Sequence, residues 1–118
     1  MQVRGVHHVS INVEDVDNAL AFYVGTLGLV QRPDRPDFGF PGAWLNAGNQ
    51  QVHLIGGSPP PAKGQHFALQ VDDIEGVIGE LRQAGTEVTD SIPVGSNFQA
   101  FLNDPDGNQI ELHQVAGG

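Results

Sequence analysis

The chain has 118 residues, no cysteine and a formal net charge of −9, with only five Lys plus Arg against fourteen Asp plus Glu. That length buries one sizeable core without covalent staples; the missing thiols exclude disulfides, thiolate metal ligands and cysteine nucleophiles. So acidic a chain cannot present the basic face that nucleic acid or an anionic membrane requires, and a small neutral or cationic ligand, or a metal ion, suits its field better.

In chain order, Val6 to Val13 alternates in the manner of a half-buried strand. Val9, Ile11 and Val13 share one face, and His8, Ser10 and Asn12 share the other. The alternation also distinguishes Met1 to Val13 from the continuous apolar core of a signal peptide, and no segment is long enough for a transmembrane helix, so a cytoplasmic location is expected. Asp15 is placed to cap a helix whose apolar stripe is Val16, Leu20, Tyr23, Val24 and Leu27, closed by Gly28. Strands are predicted at Leu29 to Gln31, Ala43 to Ala47 and Gln51 to Ile55. The Pro- and Gly-rich stretch Arg32 to Gly42 between them is expected to loop over a cavity. After a linker with Pro59-Pro60-Pro61, a strand at His66 to Val71 leads to a helix capped by Asp73, with stripe Ile74, Val77, Ile78 and Leu81 and Gly85 at its end. Gly76 and Gly79 weaken this helix by about 1 kcal/mol each relative to Ala. Strands are predicted at Thr86 to Thr89, Phe98 to Asn103 and Gln109 to His113, the last two joined by the turn signal Asp104-Pro105-Asp106-Gly107.

The second half repeats the first. HVSINVEDVDNAL from His8 matches HFALQVDDIEGVI from His66, and GNQQVHL at Gly48 to Leu54 matches GNQIEL at Gly107 to Leu112. His8 to His66 and His53 to Glu111 are both separations of 58 positions. The fold class is therefore α+β: two βαβββ modules forming a curved mixed sheet with helices on its outer face. Module one spans about residues 1–56, the linker 57–65 and module two 66–118, within a single domain.

Strand parity turns four matched residues into a set. Val52 and Leu54 flank His53, and Ile110 and Leu112 flank Glu111; those apolar pairs take the helix-packed face. His53 and Glu111 therefore point the same way as His8 and His66, into the concave side. Nitrogen and oxygen donors of this kind suit one divalent transition metal (Zn, Fe(II), Mn, Ni or Co) rather than Ca or Mg. A single strand histidine is more often an ordinary hydrogen-bonded residue, and His7, on the apolar parity, ranks below His8. Four donors at matched places of a repeat favour a metal. Ser10, Trp44, Asn46, Gln99, Phe101 and His113 are candidate substrate contacts, His113 from the face of Glu111; Phe38, Phe40 and Asn103 are further candidates for the cavity wall. A one-residue slip of register would reverse every such assignment.

The blocks HHVSINVEDVDNALAFYVGTLGL, QVHLI, HFALQVDD and FLNDPDGNQIEL resemble the vicinal oxygen chelate superfamily over nearly the whole chain. That superfamily includes glyoxalase I, methylmalonyl-CoA epimerase, extradiol dioxygenases, fosfomycin-resistance thiol transferases and bleomycin-resistance proteins. The resemblance carries the family's ligand positions onto His8, His53, His66 and Glu111, and implies a homodimer acting on a small molecule. His53 departs from the Glu or Gln usual there in glyoxalase-like and epimerase-like members. The first reading is a glyoxalase-type lyase or isomerase whose substrate offers vicinal oxygens, with Glu111, or neutral His53, as base. An Fe(II) extradiol-type dioxygenase would use His8, His66 and Glu111 as a two-His, one-carboxylate triad. A fosfomycin-type thiol transferase ranks lower, because a phosphonate wants more cations than Arg4, Arg32, Arg35, Lys63 and Arg82. A bleomycin-resistance-like binding protein suits the acidic charge, although such proteins generally lack the ligand set.

Overall fold

Strand β1 (His8–Val13) opens the first half and is followed by a short helix α1 (Val16–Leu20), for which the Asp15 carboxylate accepts the Asn18 backbone N–H at 3.1 Å. The chain then widens into a π-helical segment, Ala21–Thr26, with the Leu27 N–H reaching the Phe22 carbonyl at 2.9 Å. This departs from the single regular stripe expected there. The wider turn changes which side chains face inward, so Ala19 and Tyr23 are the fully buried members. Gly28 closes the segment at φ 80°, a conformation open to glycine. Strands β2 (Val30–Gln31), β3 (Gly42–Ala47) and β4 (Gln50–Gly56) complete a four-stranded mixed sheet of order β1-β4-β3-β2; the structure, a computed structural model, describes residues 1–117.

The second half builds its own four-stranded sheet from β5 (His66–Gln70), β6 (Ile92–Val94), β7 (Asn97–Asn103) and β8 (Gln109–Gln114), in the matching order β5-β8-β7-β6. In both sheets the first and last strands pair in parallel, β1 with β4 and β5 with β8, and the remaining pairs are antiparallel. The two halves separate as compact units at Pro60 and Pro61.

Helix α2 (Ile74–Gln83) follows β5 and buries Ile74, Ile78 and Leu81. Gly76 plays a part that propensity alone misses. Its N–H is capped by Asp73 at 3.1 Å, and a Cβ there would stand 2.5 Å from the other Asp73 oxygen. A residue unfavourable for the helix interior is thus the one that lets the cap close. The edge strand is a second departure: Thr86 to Thr89 forms only an isolated bridge, Val88 to Leu102, and β6 at Ile92–Val94 takes the edge instead. Pro93 disguised this strand, yet proline is tolerated on an edge where its missing N–H would face away from the ladder.

The Asp104 to Asn108 turn is held by a buried carboxylate. Asp104 accepts the Asp106 and Asn108 backbone N–H groups at 2.9 and 2.8 Å, and the Asn108 side-chain amide at 2.9 Å. In each half the core lies on the helix side of its sheet, with Val13, Leu45, Val52 and Leu54 in the first and Ala100, Leu102, Ile110 and Leu112 in the second. The opposite face is left to polar and aromatic side chains. Among the described residues no helix is long and apolar enough to cross a membrane.

Candidate metal centre and ligand pocket

The observed registers put the predicted residues on the predicted face. In the first half β1 runs beside β4 with Ser10 opposite His53, and β3 runs beside it with Trp44 opposite His53 and Asn46 opposite Gln51. In the second, Phe101 lies opposite Glu111, Gln99 opposite His113 and Asn103 opposite Gln109. Since directly opposed residues share a face, these side chains stand with the four candidate ligands and away from the cores.

Each half brings its own two ligand candidates together. In the first, the His8 and His53 rings stack at 3.9 Å and 15°, and Trp44 covers the other side of His53 at 4.6 Å and 12°. His53 is buried, and its Nε2 lies 2.8 Å from the Gln51 side-chain carbonyl. Burial holds its imidazole below the usual histidine pKa, reinforced by the positive charge of His8, His7, Arg32 and Arg35. His7 is exposed ahead of β1, with its Nδ1 2.9 Å from that of His8. Gln51 was not foreseen, although its parity with His53 is a signal that could have found it.

The second half forms a longer chain of contacts. His66 Nε2 stands 3.0 Å from Glu111 Oε1, and His66 Nδ1 lies 2.9 Å from the Gly64 carbonyl. A carbonyl only accepts, so Nδ1 carries a proton and Nε2 is the atom aimed at Glu111. His113 Nδ1 stands 2.7 Å from Glu111 Oε2, and its Nε2 lies 3.0 Å from Asn97 Nδ2. Because Asn97 Oδ1 accepts the Ala116 N–H at 2.9 Å, the amide points its NH₂ at His113. His113 therefore donates from Nδ1 to the carboxylate and accepts at Nε2. The bond to Gly64 raises the His66 pKa most; burial opposes it, and the hydrogen bond and charge of Glu111 add to the rise. Phe101 meets the His66 ring edge-on at 5.6 Å. Asn97 gave no sign in the sequence: it opens β7 just after the Gly95-Ser96 turn, and only the folded sheet carries it to His113.

Donors bound cis at about 2.1 Å lie about 3.0 Å apart, which is the spacing of His66 Nε2 and Glu111 Oε1. A ligating imidazole also commonly donates its other N–H to a carbonyl, as His66 does to Gly64. The second pair fits a metal as it stands. The first fits in donor type, but stacked rings aim their lone pairs side by side, so one imidazole must turn before both could meet an ion. Among the described residues no cluster of three or more His, Asp or Glu side chains could hold a metal ion.

Of the remaining candidates, Ser10 and Trp44 line a pocket of about 240 Å³ in the first half, with His8, His53, Arg35, Phe38 and Phe40. The Arg32 to Gly42 stretch thus does border a cavity. Asn46 is occupied otherwise, accepting the Arg32 guanidinium at 2.9 Å.

Comparison with known proteins agrees with this architecture. The family model of the Glyoxalase/Bleomycin resistance protein/Dioxygenase superfamily matches residues 5–112, and the chain belongs to that superfamily. Its relatives include the lactoylglutathione lyases of Salmonella typhimurium and Haemophilus influenzae, each 31% identical over an alignment of 119 positions, gaps included, that covers 89% of this chain and 88% of theirs. Among solved structures it is similar to TnmS3, an antibiotic binding protein from Streptomyces sp. CB03234, with TM-score 0.84, 26% identity and coverage of 98% and 99%. The fosfomycin resistance protein FosX from Listeria monocytogenes shares the fold, with TM-score 0.82 at 16% identity and coverage of 98% and 97%.

Proposed function

We propose that the protein is a metal-dependent lyase or isomerase of glyoxalase type, with His8, His53, His66 and Glu111 as ligands of one divalent transition ion and a homodimer as the working form. The observation that carries this reading is the His66–Glu111 pair: two donor atoms 3.0 Å apart, each with its outer atom tied down, His66 by Gly64 and Glu111 by His113. The bound ion would supply Lewis acidity to two adjacent substrate oxygens. Glu111 is the carboxylate that removes a proton from the neighbouring carbon and returns it. His113 holds Oε2 at a fixed angle, so that Oε1 would keep one lone pair for the ion and the other for the proton of the reacting carbon. His53, kept neutral by burial, is a second acceptor in the first half. The exposed apolar residues Ile92, Val94 and Phe98 on the second half support the dimer.

The relatives' name supplies the first assay compound, lactoylglutathione, and the reaction should run under nitrogen. Glu111→Gln is expected to lower kcat at least about 100-fold with the fold intact, the scale of a lost general base. Full activity in that variant removes Glu111 from the role. Oxygen uptake with a catechol by the iron-loaded protein would transfer the assignment to the dioxygenase reading.

A further inference from the structure

The pocket of the first half has walls that the proton-transfer reading does not use. Phe38 and Phe40 stack at 5.6 Å and 20° while remaining about half exposed, 50% and 46%. Rings of this size are seldom left so open unless something covers them. Phe38 and Trp44 diverge at 47° with centroids 6.1 Å apart, forming a wedge in the pocket that His8 and Ser10 also line. Arg35 crosses the rim of this wedge, its guanidinium 5.1 Å from the Phe38 ring and 5.4 Å from the Phe40 ring. One of its N–H groups donates to the Phe40 carbonyl at 3.1 Å. Gly42 makes room for it, since a Cβ there would stand 2.7 Å from the Arg35 terminal nitrogen.

Among the described residues no carboxylate pairs with the charge on Arg35. Arg32 is paired with Asp34 and Arg82 with Asp90, whereas among the described residues Arg35 forms no ion pair, and of the unpaired cations, which include Arg4 and Lys63, it alone lines this pocket. A guanidinium lying against two aromatic rings, with most of its donors still open, is a receptor for a planar anion. Volume sets the size. A cavity of roughly 150 Å³ admits benzene, so about 240 Å³ takes one ring with a short acidic arm.

We infer that the first half is a binding site for a small monocyclic aromatic acid, its ring in the Phe38–Trp44 wedge and its carboxylate on Arg35. This names a ligand class for the proposed active centre, on which it rests only in setting that ligand beside His8 and His53. The local cation overrides what the net charge of the chain suggests, because charges beyond about 8–10 Å are screened at ordinary salt while a contact at the rim is not.

The test uses the metal-free full chain, so that its failure and the failure of the metal reading are separable. Trp44 is the single tryptophan and lines the pocket, so its fluorescence reports occupancy. Phenylacetate should change it saturably. Phenylacetamide (same ring, no charge) and butanoate (same charge, no ring) should each bind on the order of 10- to 100-fold more weakly. Arg35→Gln should erase the preference for phenylacetate over phenylacetamide while leaving the amide's affinity and the far-ultraviolet spectrum unchanged. Phe38→Ser, an exposed position, should weaken both ring compounds alike. The inference is overturned by no saturable response to phenylacetate at millimolar concentration, by tighter binding of 2-phenylethylamine, or by an acid preference that survives Arg35→Gln. Metal affinity and lyase activity are read separately, and neither result bears on this binding.

Discussion

Replacing His113 by Ala removes the donor that holds Glu111 and tests whether that carboxylate is positioned or merely present. The Glu111 side chain is only 11% exposed, and the bond it loses, at 2.7 Å, is its shorter one. A hydrogen bond to a buried charged group contributes about 1.5–3 kcal/mol. The lower end is expected here, because the vacated ring leaves space for water to replace part of it. Metal-free His113→Ala should therefore unfold in urea with about 1.5 kcal/mol less stability. If Glu111 is a ligand, nickel or zinc affinity measured against a chromophoric chelator should fall 10- to 100-fold, the usual effect of losing such an outer partner. His113→Asn keeps an amide N–H near the Nδ1 position and should restore most of both quantities. Gln99→Ala, opposite His113 on the same face, controls for simple loss of a neighbour. Stability within about 0.5 kcal/mol of the parent, together with unchanged metal affinity, would refute the positioning argument.

Two further outcomes follow from the same contacts. In chelator-treated protein the raised His66 pKa contributes stability that is complete below about pH 6.5 and is lost as pH rises through the folded value. The lowered His53 pKa does the reverse, giving stability present above about pH 6.5 and lost as pH falls through its folded value. Urea midpoints taken against pH should accordingly flatten on the alkaline side in His66→Gln and on the acid side in His53→Gln; an identical profile in either variant discards the corresponding contribution. Asp104→Ala strips three donors of a shared buried acceptor and should cost about 2–3 kcal/mol by calorimetry, with less than about 0.5 kcal/mol counting against the turn's role.

Parity and repetition made half of the site legible in the sequence. Strand side chains alternate strictly, so flanking apolar pairs such as Val52 with Leu54 and Ile110 with Leu112 determine which way His53 and Glu111 face. A duplicated module then supplies the second copy of every element, and the two sheets share one strand order. The capping carboxylates of Asp15 and Asp73 were readable for a similar reason, because a cap and its target lie within a few residues of each other.

What escaped depends on distance along the chain or on competition between local preferences. The edge strand at Ile92–Val94 was hidden by Pro93, whose propensity says nothing about which ladder side is free. Asn97 acts on His113 from sixteen residues away, and Arg35 gains its meaning only from the ring faces that fold beneath it. The stacking of His8 on His53 likewise belongs to the folded first half alone. The sequence by itself determined the modules, the polar face and the donor types, because these follow from short-range periodicity. Only the tertiary structure decided which hydrogen bonds orient those donors and which cation comes to lie against the aromatic rings, because both depend on partners that no spacing rule brings together.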